Sequence, residues 1–356
     1  MRPTHAEIDL DAIRHNVSEL AALVAPASMC AVVKADAYGH GDVPVAEAAL
    51  EAGASWLAVA LVEEGVRLRE AGIEAPPILL LSEPPPGDAA EVVNWRLTPT
   101  AYRPEFISAL ARAARDPLDV HVKLDTGMHR VGAPPESLAD LIGAIRPPLR
   151  LGAIWTHFAV ADEDPEFTQS QIERFRRAVA GLDIPLHLAN TAGAVLFPRA
   201  RADLVRIGLG TYGLHPCPET RQVVDLRPAM RVVSRVAYVR RLPAGSRPSY
   251  GRRRALAAES TVVTVPVGYA DGMPRLLSGS GEVLIGGRRR PLAGTVTMDQ
   301  IVVDMGDDPV EVGDEVVLIG RQGEGEVTAE EWARLVGTIS YEIVCAIGPR
   351  VPRRYG

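Results

Sequence analysis

The sequence predicts an α/β protein: an N-terminal (β/α)8 TIM-like barrel over residues 1–226, then a C-terminal, mainly antiparallel β domain over 227–356. Three observations carry that expectation. Short Val/Ile/Leu-rich runs alternate with helical stretches through the first part of the chain, as buried parallel strands do. Eight such runs fall within about 195 residues, which favours closure into a barrel over a doubly wound open sheet. From about residue 227 the texture changes to β-branched runs punctuated by Gly, Pro and Asp, as in antiparallel sheets.

The eight strands are read, in order, at AVVKA (31–35), WLAVAL (56–61), ILLLS (78–82), LTPTA (97–101), VHVKLD (120–125), GAIWTHF (152–158), LHLAN (186–190) and LVRIG (204–208). Between them stand amphipathic stretches such as VPVAEAALEAG, VEEGVRLREAG and PEFTQSQIERFRRAVAG, which close on Gly as helices do. No G-x-G-x-x-G follows the first strand, so a dinucleotide-binding domain is not expected. The segment HPCPETRQVVDLRP, with its three prolines, reads as the connector. Beyond it, RVVSRVAYVRRL, STVVTVPVGYA, GEVLIGG, QIVVDM and DEVVLIG read as strands. One helix is expected among them, at EEWARLVG, opened by a capping box of Thr328 and Glu331.

Composition removes several classes of function. Hydrophobic residues at 47% and charged residues at 23% predict a packed core rather than disorder. No apolar run approaches the ~18 residues of a membrane span, and the N-terminus lacks a signal-peptide pattern. A net charge of −7 speaks against a nucleic-acid partner. Cys30, Cys217 and Cys345 are odd in number and lack metal-ligand spacing, so no metal is expected and the chain reads as cytoplasmic with reduced thiols.

Only two of the 38 basic residues are lysines, Lys34 and Lys123. A GC-rich genome would replace lysine by arginine wherever a surface needs only positive charge. Those that survive point to chemistry that arginine cannot do, because arginine cannot lose its proton to become a nucleophilic amine.

In a (β/α)8 barrel the reactive groups gather at the C-terminal ends of the strands. Lys34 ends the first; Lys123, Asp125 and Arg130 follow the fifth; His157 ends the sixth; Asn190 and Thr191 end the seventh; Arg206 and Gly208 lie at the eighth. Alone, His157 reads as a core histidine, Arg206 as half of a salt bridge, and Lys123 as an ion pair with Asp125. Together they form one polar rim. A rim lysine with Gly-rich turns after strands seven and eight suits a phosphate-bearing carbonyl cofactor, the lysine taking the aldehyde and backbone amides the phosphate. Spacing alone does not separate pyridoxal 5'-phosphate from an aldolase whose lysine takes the substrate directly.

AVVKADAYGHG, KLDTGMHRVG, THFAVADE, HLANTAG, VRIGLGTYGL, PSYG, VPVGYADG, GTVTMDQ and TISYE occur in that order. On these motifs the chain resembles alanine racemase, the fold-type-III pyridoxal-phosphate family, over nearly its whole length. The resemblance implies an isomerase that interconverts L-alanine and D-alanine and supplies D-alanine for cell-wall peptidoglycan. It also implies a homodimer in which the C-terminal β domain contributes to the partner subunit's active site. Lys34 would hold the cofactor covalently and serve as one acid/base, and Tyr250 would be the other, on the opposite face. Lysine and tyrosine ordinarily ionise near about 10.4 and about 10, so such a pair needs help at neutral pH. The resemblance assigns that help to His157 and Arg206, with Arg206 also facing the pyridine nitrogen. Tyr38, Thr191, Gly208, Leu209 and Tyr341 would cradle the phosphate. Arg130 and the backbone near Met298 would hold the substrate carboxylate, and Tyr269 would line the pocket. Lys123 matches a position that some relatives carbamylate, and Asp162, Arg275, Thr295 and Ile339 match entrance positions.

The chain departs from the family pattern at three places. His129 replaces a common glycine, Arg252-Arg253-Arg254 follow PSYG where an aromatic residue often stands, and Thr295 replaces an entrance arginine. These departures leave room for a broader racemase that accepts serine. A decarboxylase of the same fold type fits the motif set less well. A non-catalytic pyridoxal-phosphate-binding barrel protein would not need the β domain that carries Tyr250.

Overall fold

The computed structural model describes residues 2–356, which form two units. One comprises Asp11–Ala37 and Asp42–Arg227; the other comprises the chain up to Leu10, Tyr38–Gly41 and Pro228–Gly356. The contiguous division read from the sequence does not anticipate that the first strand, β1 (His5–Ile8), and the short Tyr38–Gly41 segment group with the C-terminal residues.

The first unit is a ring of eight parallel strands: β2 (Ser28–Val32), β3 (Trp56–Val59), β4 (Ile78–Leu80), β5 (Thr100–Ala101), β6 (Leu118–Lys123), β7 (Leu149–Trp155), β8 (Leu186–His187) and β9 (Leu204–Ile207). Regular ladders join β9, β2, β3 and β4, and likewise β5 through β8. Two short seams complete the ring. Leu80 N–H donates to the Thr98 carbonyl at one, and Asp203 and Arg206 N–H donate to Leu186 and Ala189 at the other. The strands are short, and Val, Leu, Ile and Ala dominate their buried positions. The helix Pro165–Ala178 shows how the outer layer steers the interior. Asp164 caps it by accepting from Phe167 N–H at 2.9 Å, and Ile172 and Phe175 are buried one turn apart. From the same face Gln171 accepts from Ala159 N–H at 2.9 Å and donates to the His157 carbonyl at 3.3 Å, fixing the segment after β7.

The second unit contains β10 (Met230–Arg235), β11 (Tyr238–Leu242), β12 (Ser260–Val265), β13 (Glu282–Ile285), β14 (Arg288–Pro291), β15 (Ile301–Gly306), β16 (Glu315–Gln322), β17 (Gly325–Val327) and β18 (Arg353–Tyr355). They form a larger sheet in the order β14-β13-β16-β10-β1-β18, with β17 beside β16, and a three-stranded sheet β11-β12-β15. All pairs are antiparallel except β1 with β18. The expected helix spans Ala329–Val336, and Thr328 caps it by accepting from Glu331 N–H at 3.0 Å. The other half of the capping box is diverted, because Arg289 takes the Glu331 carboxylate at 2.6 Å and 2.7 Å. A second helix, Ser340–Cys345, was not expected. Among the described residues no helix is long and apolar enough to cross a membrane.

Candidate active site

β2 stops at Val32, two residues before Lys34, and Lys34 opens the helical turn Lys34–Gly39. That turn winds left-handed. Ala35, Asp36, Ala37 and Tyr38 have φ of 50–53°, and Gly39 follows at 79°. Each non-glycine residue there costs roughly 1–2 kcal/mol, so the turn survives only because its surroundings dictate it. Glu64 does much of this. One carboxylate oxygen accepts from Ala35 N–H at 2.7 Å, the other from Ala60 and Leu61 N–H at 2.8 Å and 3.1 Å. Asp36 accepts from Asp42 N–H at 3.1 Å.

At the eighth strand, Arg206 is 2% exposed. It is no half of a salt bridge: among the described residues no carboxylate pairs with it. Its Nη1 donates to His187 Nδ1 at 2.9 Å, and its Nη2 donates to the Thr156 and Leu188 carbonyls at 2.8 Å and 2.9 Å. Nη2 also lies 3.4 Å from His157 Nδ1. Its strand neighbour Cys30 stays a neutral thiol, pushed up to about 12 by burial. Burial brings the guanidinium down to about 10, so it keeps its charge at neutral pH. Its Nε is buried and has no hydrogen-bond partner among the described residues. An unpaired donor on a buried cation is costly unless something else receives it.

The acceptors around Arg206 are kept neutral. A guanidinium only donates, so His187 Nδ1 must accept, which leaves the proton on His187 Nε2 to be donated to His121 Nδ1 at 3.1 Å. Burial, and then the Arg206 charge, hold His187 far below its usual range; burial also brings His121 to about 4. His157 is lowered in the same way, by burial and then Arg206, so within this cluster of three histidines and one arginine the charge belongs to Arg206. Trp155 forms the floor, with Arg206 and Lys123 lying 4.5 Å and 4.3 Å from its ring centre.

Lys123 is buried, and burial followed by Arg206 and Arg130 drives it down to about 7. The Lys123–Asp125 ion pair does not form. Asp125 instead accepts from Gly127, Met128 and His129 N–H at 2.9–3.1 Å through one oxygen, and its other oxygen lies 3.2 Å from His129 Nδ1. His129 has φ 54°, the conformation a glycine would adopt freely. This tied turn presents Arg130 on the surface beside Lys123 and His157.

Thr191, at the start of the helix Thr191–Leu196, accepts from Gly208 N–H at 3.1 Å and from Gly210 N–H at 3.5 Å. Leu209 opens the following 3₁₀ turn. Asn190 caps the Thr191 helix by accepting from Gly193 N–H at 2.9 Å. Asp162 is half-buried in the segment after β7.

The remaining expected residues lie in the second unit. Tyr38 and Tyr341 face each other with ring centres 6.0 Å apart, and burial pushes the Tyr38 phenol well up. Tyr250 is 75% exposed, and Tyr269, Met298, Arg275 and Ile339 are exposed as well. Tyr269 and Ala270 N–H donate to the Thr297 and Met298 carbonyls at 2.9 Å and 3.1 Å, placing two of these side chains on adjoining loops. Thr295, matched above to an entrance position, is turned to the Tyr250 loop. It is 3% exposed, and its hydroxyl is committed to the Tyr250 carbonyl. Sequence reasoning passed over His121, His187, Glu64 and Ser249. The signal for the two histidines was their alternation with Val and Leu inside VHVKLD and LHLAN, which points them into a barrel.

Two family descriptions match the chain: alanine racemase, N-terminal domain, at residues 8–216, and alanine racemase, C-terminal domain, at residues 229–355. An alanine racemase from Symbiobacterium thermophilum is 48% identical, over 100% of this chain and 98% of that one. One from Frankia casuarinae is 46% identical, over 98% and 95%. Among solved structures, alanine racemase from D-cycloserine-producing Streptomyces lavendulae superposes with a TM-score of 0.95 at 42% identity, covering 100% and 97%. Alanine racemase from Bacillus anthracis with bound L-Ala-P superposes at 0.93 and 36% identity, covering 100% and 95%. The chain belongs to the alanine racemase family.

Proposed function

We propose that this chain interconverts L-alanine and D-alanine with pyridoxal 5'-phosphate, as a homodimer in the cytoplasm, and supplies D-alanine for peptidoglycan precursors. In this chain Lys34 would hold the cofactor through its amine, and the Thr191 hydroxyl, the Gly208 and Leu209 amides, Tyr38 and Tyr341 would hold its phosphate. The observation that most supports this is the orphaned Nε–H of Arg206. A pyridine nitrogen is an acceptor, and this donor lacks one. When bound, the cofactor supplies an electron sink beside the α-carbon of the amino acid.

The chain's own residues do the rest. Arg206 keeps its proton, so it meets a ring nitrogen with a hydrogen bond and does not protonate it; this tempers the sink and suits racemisation over transamination. Lys34 removes or returns the α-proton on one face, and Tyr250 of the partner subunit does so on the other. Arg206 supplies the positive charge that favours an ionised phenol, and the neutral His157 is positioned to accept and donate hydrogen bonds there. Arg130 and the backbone near Met298 grip the substrate carboxylate, and Tyr269 lines the pocket. Near neutral pH, Lys123 at about 7 offers much of its amine uncharged, the form that takes up carbon dioxide. The resulting carbamate would orient Arg130 through charge-assisted bonds. Asp162, Arg275 and Ile339 would stand along the approach.

The purified protein is expected to absorb visible light, to racemise L-alanine in a chiral assay, and, after borohydride reduction, to carry the cofactor on Lys34. Peptide mapping that finds the adduct on Lys123 would overturn the assignment.

A further inference from the structure

Within its own chain the side chain of Tyr250 is 75% exposed, so what its own chain contributes to its direction is the backbone beneath it. That backbone is strained. Ser249, Gly251 and Arg252 have φ of 68°, 72° and 47°, around the short turn Tyr250–Arg252. Gly294 and Thr295 lie directly against the turn. A Cβ on Gly294 would sit 2.5 Å from the Pro248 carbonyl oxygen and 2.9 Å from Ser249 Cβ, so only glycine permits this approach. Two hydrogen bonds then close it from opposite sides. Thr295 Oγ1 donates to the Tyr250 carbonyl at 2.7 Å, and Ser249 Oγ donates to the Thr295 carbonyl at 2.6 Å.

We propose that this reciprocal pair is a clasp that aims Tyr250, making Thr295 a positioning residue for proton transfer. The inference rests on Tyr250 being one of the two proton-transferring groups. A strained turn opens readily once an anchoring bond is lost, and a displaced base loses rate more than it loses substrate affinity. Because the two enantiomers are equal in free energy, the lesion slows both directions alike; with Tyr250 serving one face of the substrate and Lys34 the other, it should show as an isotope effect confined to the enantiomer whose α-proton Tyr250 removes.

The test compares Thr295→Val, which keeps the shape and removes the hydroxyl, with Thr295→Ser, which keeps the hydroxyl. Thr295→Val is expected to lower kcat roughly 10- to 100-fold with KM little changed. It should also raise the α-deuterium isotope effect for one alanine enantiomer and not the other, while Thr295→Ser stays close to the parent. Ser249→Ala breaks the clasp from the other side and should reproduce the one-sided isotope effect, which keeps the test alive if Thr295→Val fails to fold. Normal kinetics in both directions for both broken-clasp variants would overturn the proposal, as would an isotope effect that rises equally for both enantiomers. Tyr250→Phe separates the two readings. If it is inactive while Thr295→Val and Ser249→Ala are normal, only the clasp fails; if Tyr250→Phe keeps full activity, the role of Tyr250 fails and the clasp with it.

Discussion

The turn that follows Lys34 and the turn that carries Tyr250 both place non-glycine residues in the left-handed region, but they are held by different means. The first is longer, is buried over its second half at Ala37 and Tyr38 while Ala35 and Asp36 stay exposed, and is fastened by the carboxylates of Glu64 and Asp36. The second is short and exposed, and is fastened by the hydroxyls of Thr295 and Ser249. Hydrogen bonds to a charged acceptor are about twice as strong as neutral ones. The lysine is therefore mounted rigidly, while the tyrosine sits on a support that a single methyl-for-hydroxyl exchange can loosen.

The sharpest way to break this comparison is to remove both ends at once. Lys34→Ala and Tyr250→Phe homodimers are each expected to be nearly inactive. Mixed into heterodimers, they should recover about half of parental activity per dimer, because one site inherits both lesions and the other neither. Verified heterodimers without activity would show that the two residues act from the same chain. A smaller effect is expected at the anchor of the lysine turn. Glu64→Gln replaces one accepting oxygen with a donor that faces backbone N–H groups, at a cost of roughly 1–3 kcal/mol. Urea unfolding should record that loss, and borohydride labelling of Lys34 should fall with it; unchanged stability would mean that the turn holds itself.

An effect that appears only in acid, and leaves neutral-pH stability unchanged, concerns the neutral anchor of Arg206. Folded His121 titrates at about 4, whereas an unfolded histidine does so near about 6.5. Between those values the unfolded chain binds a proton that the folded chain refuses, so acidification favours unfolding. This contribution, on the order of 3 kcal/mol, is fully present above about pH 6.5 and is lost as pH falls toward 4. His121→Asn keeps an acceptor for His187 and removes the titrating group. It should therefore flatten the decline of unfolding free energy over that interval, and an unchanged slope would place the effect elsewhere.

Much of this was legible in the sequence. The alternation of short apolar runs gave the barrel, and strand-end position gave Lys34, His157 and Arg206, because in a closed parallel barrel the strand ends share one rim. What stayed hidden was conformation without a compositional mark. Ala35, Ala37 and Tyr38 have no preference for positive φ, and only Asp36 and Gly39 hint at it; the turn is held because Glu64, from a different segment, anchors it. The capping Thr328 was legible because its partner is local, whereas the fate of Glu331 depended on Arg289, about forty residues away in sequence. Thr295 was read as an entrance residue by position, and its hydrogen bond to a turn forty-five residues earlier could not be seen from spacing.

The pairing of β1 bears on how the chain is made. β1 lies between β10 and β18, so one sheet takes in residues from the first ten and the last four of the chain. On the ribosome, β2 through β9 are all synthesised before the strands that β1 requires. The barrel can thus close while its own leader strand waits unpaired. The sheet completes only once Arg353, Arg354 and Tyr355 have been made and can flank Ala6, Glu7 and Ile8. A chain halted before β18 would display a finished barrel and an open sheet edge along β1, the state most exposed to strand exchange with a neighbouring chain.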